Sequence, residues 1–372
     1  MNFDIGEDGE MLKALAERFV RDQYDMDRRR AFLGEPHGFS AHNWAFLGEL
    51  GLIAAPFAAD LGGMDLDAVG VATVFEALGR GLVVEPLIEN VLLAGRLFAA
   101  TAPHALRDAW LPGLLDGSRR VALAHDEARG RPGRLWVEAK AVTSGEDVRL
   151  TGAKAHVPAG AGVDGYIITA RSEGAANVRE GVGLYFVPAD APGLIKRTWR
   201  MADGGIAASL EFDGLLVDAA HRLAGGVDEV ASVELLANLA RSAEMLGIMT
   251  RLFEETLEYL KSREQFGTRL GSFQALQHRM AAQYAAIEQS RGLLNLAIVS
   301  RDKPGFAQAV NGARAFIAPA AVALGHEMIQ FHGGMGVTDE LSIGHGHKRL
   351  LVLSRWPDDP DAALDRFAGV EG

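Results

Sequence analysis

Residues 330–340 read Gln-Phe-His-Gly-Gly-Met-Gly-Val-Thr-Asp-Glu and follow a long apolar, alanine-rich segment. Three glycines within four residues stop a helix, because glycine suits positive φ angles and the close approach of another molecule. The loop ends in two adjacent acids, Asp339 and Glu340, ahead of the apolar Leu341. A carboxylate that loses its water beside an apolar residue acquires a raised pKa, which a general base near neutral pH requires. The pattern predicts a loop that presents a base, with a helix C-cap and a solvated acidic turn as the alternative.

A second stretch, residues 263–281, reads Arg-Glu-Gln-Phe-Gly-Thr-Arg-Leu-Gly-Ser-Phe-Gln-Ala-Leu-Gln-His-Arg-Met-Ala. It resembles the signature of the acyl-CoA dehydrogenase family, in which Arg-x-x-Phe-Gly is followed by Gln and then by Met-Ala or Leu-Ala. The 330–340 loop resembles the same family's Gln-x-x-Gly-Gly-x-Gly loop, with the catalytic Glu ten positions after the Gln. Residues 50–52, 60–63 and 76–80 resemble the family's first domain. Within the family, the resemblance is strongest to bacterial chains like the small subunit of pimeloyl-CoA dehydrogenase.

Hydrophobic periodicity divides the chain into three parts. Residues 1–118 carry apolar residues at helical spacing. Residues 119–226 change to short apolar or β-branched runs, such as 166–169 and 184–187, separated by Gly, Asp, Pro and Ser. Long helical patterns return over residues 227–372. We therefore expect an N-terminal helical domain, a middle β domain and a C-terminal helical domain with these boundaries.

Several residues mark the expected ends of the C-terminal helices. Ser272 is the expected N-cap of the helix that follows the Arg motif. Asp302 and Pro304 are expected to open the next helix, and Pro319 to kink it. The acidic tail from Trp356 is expected to be loose.

The family resemblance implies a mainly α fold with a central β-barrel-like domain and a C-terminal four-helix bundle. It also implies FAD, which lies between the β domain and the bundle in such enzymes, with a neighbouring subunit completing the site. The implied reaction oxidises the Cα–Cβ bond of an acyl-CoA thioester. A Glu removes the α-proton, flavin N5 accepts the β-hydride, and electrons pass to an electron-transfer flavoprotein.

Residue-by-residue matching assigns roles within this resemblance. Glu340 takes the position of the catalytic base. Some family members place the base on the long helix before the Arg motif, where this chain has Ala237, which cannot serve. Arg263, Phe266 and Gln274 match residues around the FAD pyrophosphate and adenine. An Arg suits pyrophosphate because its planar fork binds two oxygens at once, although a charge at a helix C-terminus is the alternative role for Arg263.

The remaining matches concern subunit assembly. Gln330, Gly333 and Gly334 match the loop that meets the dinucleotide from the partner subunit. The chain departs from the family at the flavin ring, where His156 and Pro158 replace the usual Trp and Thr or Ser. Related bacterial chains pair with a larger paralogue. The resemblance therefore implies either a homotetramer or a heterotetramer with a larger paralogous subunit.

Two alternatives to a complete dehydrogenase stay open, and the first of them follows from departures from the family pattern. Residues 121–127 lack the usual Thr-Glu-Pro pattern, and the chain has no recognisable Gly-Thr-x-Gln segment at its end. One alternative is a non-catalytic or half-site subunit of a hetero-oligomeric acyl-CoA dehydrogenase. Another is a flavin oxidase or monooxygenase on the same fold, against which the retained Glu argues.

Leu341 stands where an aromatic residue is common, which favours an acyl group bulkier or longer than a short straight chain.

Two further motifs are interpreted without chemistry. Residues 160–165 fit Gly-x-Gly-x-x-Gly, but they precede a predicted strand and no helix follows, so we expect a turn and no Rossmann site. His345 and His347 flank a glycine and lack a third ligand at suitable spacing, so we expect no metal. A surface or CoA-facing cluster is the favoured interpretation of these histidines.

Composition limits the class of protein. The 372 residues include 37 Lys and Arg against 49 Asp and Glu, a net charge of −12, which argues against nucleic acid as a partner. The absence of cysteine excludes disulfides and thiolate chemistry. Residues 1–5 show no secretory signal, and no apolar run reaches the roughly 18 residues needed to span a membrane. We therefore expect a cytoplasmic protein, and the family resemblance implies a role in fatty-acid or acyl-CoA catabolism.

Overall fold

The computed structural model describes residues 6–131 and 135–370. The N-terminal segment judged to lack a secretory signal, residues 1–5, lies outside the described residues. The first third of the chain is helical, and the segment Leu87–Gly95 within it forms a π-helix. Its α-helices are α1 (Glu7–Gln23), α2 (Met26–Gly34), α3 (Ala41–Glu49), α4 (Ala68–Gly81), α5 (Arg96–Thr101) and α6 (His104–Asp116).

The middle of the chain forms one mostly antiparallel sheet. Its strands are β1 (Val121–Ala124), β2 (Lys140–Ser144), β3 (Asp147–Pro158), β4 (Gly165–Arg171), β5 (Val182–Pro188), β6 (Leu194–Arg200), β7 (Ile206–Val217) and β8 (Arg222–Leu223). They lie in the order β6-β7-β3-β2-β4-β5-β8, and β1 pairs in parallel with β4. Inward-facing residues such as Leu150, Ile168, Val187 and Leu210 form its core. Residues 160–164 lie in the turn between β3 and β4, as predicted, and Gly165 begins β4.

The last third of the chain is helical again. It contains α7 (Val227–Ser262), the hairpin β9 (Glu264–Gln265) and β10 (Thr268–Arg269), α8 (Gln274–Val299), α9 (Phe306–His332), α10 (Ser342–Arg355) and α11 (Pro360–Ala368). The order of helices, sheet and helices confirms the predicted fold class. In the described part of the chain, no helix is both long enough and apolar enough to cross a membrane.

The start of α9 differs from the sequence prediction. Asp302 has a φ of 60°, in the left-handed region, so the chain turns there and no helix begins at Pro304. The helix begins two residues later at Phe306, with Gly305 as its N-cap, and contains Pro319.

The expectation of a loose C-terminal tail is wrong. Helix α11 packs against α9. Arg314 of α9 is fully buried and hydrogen-bonds Asp358, whose side chain is 1% exposed. The same guanidinium donates to the backbone carbonyls of Leu353 and Trp356, each at 3.1 Å. A buried guanidinium needs a carboxylate and carbonyl partners, and the tail supplies them.

The chain divides into two compact units that cut across the sequence segments. One unit contains Met1–Arg30, Ala68–Val83 and Asn238–Gly372. The other contains Ala31–Asp67 and Val84–Ala237. The three domains with boundaries after residues 118 and 226 stay a prediction, based on where helices give way to strands and back.

Candidate active site

The Arg motif forms a tight hairpin that displays a phenylalanine. Gln265 pairs with Thr268, so Phe266 and Gly267 form the whole turn, with φ angles of 57° and 78°. Two positive φ angles define a type I′ turn, and a bulky residue rarely adopts one. Phe266 is 88% exposed, and its ring meets Phe273 edge-on at 6.3 Å. A strained, exposed aromatic side chain indicates contact with another molecule.

The start of α8 offers an anion site. Ser272, the predicted N-cap, instead donates its hydroxyl to the Arg269 carbonyl at 2.7 Å. Phe273 is the N-cap, and it provides no side-chain hydrogen bond to the helix. The Leu276 amide donates to the Phe273 carbonyl at 3.0 Å, so the amides of Gln274 and Ala275, which have no acceptor among the described residues, are the first-turn donors available for an anion. Arg263 and Gln274 are both exposed beside this helix start.

The glycine loop leaves backbone open to other molecules. Helix α9 ends at His332, and Gly333 follows with φ 59° and ψ −138°, a conformation suited only to glycine. A Cβ at Gly336 would lie 2.6 Å from the Ile329 carbonyl oxygen, so the chain's own packing requires that glycine. A Cβ at Gly334 would meet no atom of residues 6–131 or 135–370 within 4 Å. Neither φ nor packing requires glycine at position 334, which fits the close approach of a ligand or second chain.

The two acids at the end of this loop have different hydrogen-bond environments. The Asp339 carboxylate accepts a hydrogen bond from Lys348 Nζ at 3.0 Å, and this ammonium group lowers the pKa of Asp339. The Asp339 carbonyl oxygen accepts from His345 Nε2 at 3.0 Å and from Arg30 Nη1 at 3.3 Å. The Glu340 side chain makes no hydrogen bond to any residue that the structure describes. Asp339 is therefore held as an ion pair, whereas the Glu340 carboxylate is available for chemistry.

The sequence predicted that the Glu340 carboxylate is shielded from water, and a single chain does not provide that shielding. Glu340 is exposed, and Leu341 beside it is only half-buried. The loop also exposes Met335 and Val337, at 46% and 71%. A lone chain therefore does not exclude water from this carboxylate. Ala237, at the alternative base position on α7, is fully buried and has no titratable group.

The interpretation of His345 and His347 as a surface cluster is wrong. Both lie on α10, and they are only 6% and 7% exposed. His345 Nδ1 lies 2.8 Å from Arg29 Nη1. The His347 ring lies 4.5 Å from that of His326, and burial together with His326 lowers the pKa of His347 to about 4. The segment is helical and turns both rings inward, although it carries two glycines.

Sequence reasoning missed a buried ion pair in the β domain. Lys154 of β3 is fully buried and donates to Glu127 Oε1 at 2.6 Å, to Thr169 Oγ1 at 3.0 Å and to the His125 carbonyl at 3.1 Å. Glu127 also accepts from the backbone amides of the 138–139 segment at 2.6 and 3.1 Å. The pair fixes residues 125–127, the segment that lacks the family's Thr-Glu-Pro pattern. The available signal in the sequence was a lysine at position 154, in line with Val148 and Leu150 at every second position of the strand.

The positions expected at the flavin ring lie near the end of β3. The ring of His156 lies 5.9 Å from that of Trp199 on β6. Burial lowers the pKa of His156, opposed by the charge of Asp126, so the imidazole is neutral at pH 7. Pro158 ends the strand. A neutral aromatic ring therefore lies at the position where the family resemblance leads us to expect a Trp.

Comparison with known proteins identifies the family. The model of the acyl-CoA dehydrogenase N-terminal domain matches residues 6–118, and that of the C-terminal domain matches residues 235–356. The acyl-CoA dehydrogenase FadE27 of Mycobacterium tuberculosis is 28% identical over 364 residues, covering 95% of this chain and 94% of the relative.

Solved structures match over the same length. The ChsE4–ChsE5 complex from Mycobacterium tuberculosis contains a chain that is 26% identical with a TM-score of 0.89, covering 99% of this chain and 98% of that one. A variant of the Tcur3481–Tcur3483 steroid ACAD matches at 28% identity and a TM-score of 0.85, with 99% and 98% covered. Because the two domain models match in order and the relatives match nearly end to end, the chain belongs to the acyl-CoA dehydrogenase family of oxidoreductases.

Proposed function

We propose that the chain catalyses the FAD-dependent α,β-dehydrogenation of an acyl-CoA thioester, with Glu340 as the base. The observation that carries this proposal is the contrast between the two loop acids. Asp339 is paired with Lys348 at 3.0 Å, whereas Glu340 has no hydrogen-bond partner among the described residues. The thioester carbonyl acidifies the proton on the neighbouring carbon, so a carboxylate aimed at that carbon removes it.

The residues of the Arg motif fit FAD. The exposed Arg263 guanidinium and the uncapped amides at the start of α8 are donors for a pyrophosphate. The exposed Phe266 ring offers a face for stacking, and the Gln274 amide offers both a donor and an acceptor. When bound, FAD accepts the hydride from the β-carbon. Gln330 and the open backbone of Gly333 and Gly334 support the proposed contact with a dinucleotide held by a neighbouring chain.

A second chain is part of the proposed active state. Glu340 is exposed in one chain, and a base of this kind works in a site from which water is excluded. Two of the similar structures are described as assemblies of two named proteins. We propose a homotetramer or a heterotetramer with a larger paralogous subunit. An electron-transfer flavoprotein is the proposed electron acceptor.

The proposed substrate carries a bulky or ring-bearing acyl group. Leu341 follows the base and is smaller than an aromatic residue, which leaves more room beside Glu340. One similar protein is described as a steroid ACAD. We expect turnover of a ring-bearing acyl-CoA to exceed that of butyryl-CoA, and turnover confined to butyryl-CoA contradicts this assignment.

The test is anaerobic titration of the purified, flavin-loaded assembly with a panel of acyl-CoAs. Bleaching of the flavin absorbance reports the reaction directly. Glu340→Gln keeps the size and polarity of the side chain but cannot accept the proton, so we expect intact flavin binding with bleaching slowed at least about 10³-fold. Glu146→Gln is the matched control, because Glu146 is exposed in the turn between β2 and β3.

Three outcomes contradict parts of the proposal. Bleaching at the wild-type rate in Glu340→Gln removes Glu340 as the base. A chain that loads flavin only with a larger paralogue, in an assembly that bleaches equally fast with Glu340→Gln, identifies a non-catalytic or half-site subunit. Oxygen consumption without any need for a carrier protein identifies an oxidase.

A further inference from the structure

The π-helix Leu87–Gly95 carries a buried carboxylate that has no partner in the described part of the chain. Glu89 lies within this helix and is 8% exposed. Its side chain makes no hydrogen bond or ion pair with any residue that the structure describes. A buried carboxylate in this state costs free energy, because it has lost water without receiving hydrogen bonds in exchange. The contacts of the chain itself therefore do not explain why an acid stands at this position.

A second buried carboxylate in the same part of the chain shows the contrast. Glu127 is also 8% exposed. It accepts from Lys154 Nζ at 2.6 Å and from the backbone amides of residues 138 and 139 at 2.6 and 3.1 Å. The fold thus supplies donors to a carboxylate that stabilises it, and it supplies none of these to Glu89.

The polar neighbour of Glu89 has a structural role. Asn90 Nδ2 donates to the Val121 carbonyl of β1 at 2.9 Å, and Asn90 Oδ1 accepts from Arg120 Nη1 at 3.3 Å. These bonds fix the π-helix against the start of β1, so Glu89 is carried on a rigid element. Helices of this kind occur frequently at functional sites.

The surroundings of Glu89 along the helix are apolar. Apart from Glu89 and Asn90, the helix consists of buried residues that are apolar or small, namely Leu87, Ile88, Val91, Leu92, Leu93, Ala94 and Gly95. Neither Glu89 oxygen is among the described side-chain atoms that are fully buried without a partner, so the carboxylate keeps a narrow opening to solvent. An apolar wall with one placed polar group is the usual lining of a small-molecule site.

The chemistry of a carboxylate limits what it binds. An ionised carboxylate only accepts hydrogen bonds, so the ligand must supply a donor. Glu89 belongs to no group of three or more possible metal ligands among the described residues, and a cation such as Ca²⁺ needs six to eight oxygens. A hydroxyl group on an otherwise apolar molecule satisfies both the carboxylate and the apolar wall.

We propose that Glu89 is a specificity-determining residue that binds a hydroxyl group on the ring-bearing part of the acyl-CoA. This role rests on the proposed acyl-CoA substrate, but it is independent of which residue removes the α-proton. Among bulky acyl groups, the site would then select those that carry a hydroxyl on the ring.

Acyl-CoAs that differ in one hydroxyl test this role. The probes are 3-cyclohexylpropanoyl-CoA and its derivatives with a hydroxyl at ring position 3 or 4. The readout is the ratio of kcat/KM for the preferred hydroxylated compound to kcat/KM for the parent compound, in the flavin-loaded assembly. We expect a ratio of about 10 or more in wild type, because the charge-assisted hydrogen bond forms only with the hydroxyl.

Two substitutions at Glu89 separate the acceptor from the space it fills. Glu89→Leu removes the acceptor oxygens from an apolar site, and we expect the ratio to fall about 10-fold or more. Glu89→Gln keeps one acceptor oxygen, and we expect a ratio between those of wild type and Glu89→Leu. Glu49→Gln is the control, because Glu49 is exposed at the end of α3, and it should keep the wild-type ratio. A wild-type ratio near 1 for both hydroxylated compounds overturns the proposal, and so does a wild-type ratio in Glu89→Leu.

Thermal unfolding in the absence of acyl-CoA gives a readout that does not depend on activity. An unpartnered buried charge destabilises a fold, so Glu89→Leu should have a melting temperature equal to or above that of wild type. A fall of several degrees would show that Glu89 stabilises the fold through bound water, which overturns the proposal.

Calorimetric binding of the same compounds separates this inference from the proposed function. If a preference for a hydroxylated compound depends on Glu89 but no compound bleaches the flavin, the hydroxyl site stands and the dehydrogenase proposal fails. If the compounds bleach the flavin without a preference that depends on Glu89, this inference fails alone. If none of them binds, both fail.

Discussion

At the scale of single residues, the buried charge of Lys154 makes the stability of the fold depend on one partner, Glu127. Burial lowers the pKa of Lys154, and the charge and hydrogen bond of Glu127 oppose that effect. Glu127→Gln leaves the ammonium without its counter-charge, so we expect a loss of roughly 3–5 kcal/mol in the free energy of unfolding. Urea denaturation at pH 7 measures it.

The double variant Lys154→Met with Glu127→Gln is the control for this prediction. It removes both charges together, and we expect it to recover most of the lost stability, because a buried ion pair replaced by neutral groups is often close to neutral in free energy. If the double variant is as unstable as Glu127→Gln, the loss comes from the backbone contacts of Glu127 and the charge argument is wrong.

His347 predicts a pH dependence of stability. Its pKa is lowered to about 4 by burial and by His326, whereas an unfolded histidine titrates near 6.5. The unfolded state therefore takes up a proton first as pH falls. The contribution of His347 is fully present above about pH 6.5 and is lost progressively down to about pH 4, by up to about 3 kcal/mol.

Thermal unfolding of wild type and His347→Met between pH 7 and 4.5 measures this contribution. We expect the variant to lose less stability than wild type over that range. His42→Gln, at an exposed position on α3, should follow the wild-type curve. Parallel curves for wild type and His347→Met contradict the prediction.

At this scale, sequence identified the candidate chemistry but not its environment. The spacing of the glycine loop identified Glu340 through a family resemblance, and the loop does carry both acids at its end. The partners of Asp339 could not be predicted from the sequence. Lys348 and Arg30 lie on helices, and no local sequence pattern encodes how those helices pack against the loop. The burial of His345 was missed for the same reason, since its partner Arg29 lies 316 positions away.

At the scale of elements, two glycines allow α4 and α7 to pack with their backbones in contact. A Cβ at Gly247 of α7 would lie 2.1 Å from the Glu76 carbonyl oxygen on α4. A Cβ at Gly79 of α4 would lie 2.3 Å from the Glu244 carbonyl oxygen on α7. Because the contacted atoms belong to the backbone, a Cβ at either position could be accommodated only by moving the two helices apart. We therefore expect Gly247→Ala to destabilise the protein by about 1–3 kcal/mol, measured by the urea midpoint.

Gly292→Ala on α8 is the matched control. A Cβ there would meet no atom of the described chain within 4 Å. Because alanine is a better helix former than glycine, we expect this variant to be stabilised by roughly 0.5–1 kcal/mol. Opposite signs for the two substitutions support the close crossing of α4 and α7. A stabilising Gly247→Ala contradicts it.

The sequence predicted whether a segment is a helix or a strand more accurately than it predicted where each element begins and ends. Periodicity located the change from helix to strand and back. Helix α7 ends at Ser262, one residue before Arg263, whose alternative role was a charge at a helix C-terminus. The start of α8 was misplaced because a serine one residue before the cap gave a convincing capping signal while its hydroxyl bonds elsewhere. Helix α11 was missed because its anchor, Asp358, is stabilised by the distant Arg314.

At the scale of the whole molecule, apolar side chains that stay exposed on three segments of the last third of the chain argue for contacts with other molecules. Apolar or aromatic side chains stay exposed on the Arg hairpin, on α8 and on the glycine loop, namely Phe266, Tyr284, Leu296 and Val337, at 88%, 54%, 51% and 71%. Fully burying one such side chain stabilises a complex by about 1.5–3 kcal/mol. This amount corresponds to a factor of about 10–150 in affinity.

The consequence can be tested at Phe266. Its ring contributes little to the chain's own core, so Phe266→Ala should leave the melting temperature of the flavin-free protein within about 1 °C of wild type. Loss of the ring's contact should weaken flavin binding about 10-fold or more, measured by the flavin retained after dialysis at several protein concentrations. Val142→Ala, which removes another exposed apolar side chain on β2, should retain flavin like wild type. Unchanged flavin retention in Phe266→Ala would mean that the strained hairpin presents its ring to something other than the cofactor. In that case a fall in the assembled fraction on size-exclusion chromatography would identify a neighbouring chain as what the ring contacts.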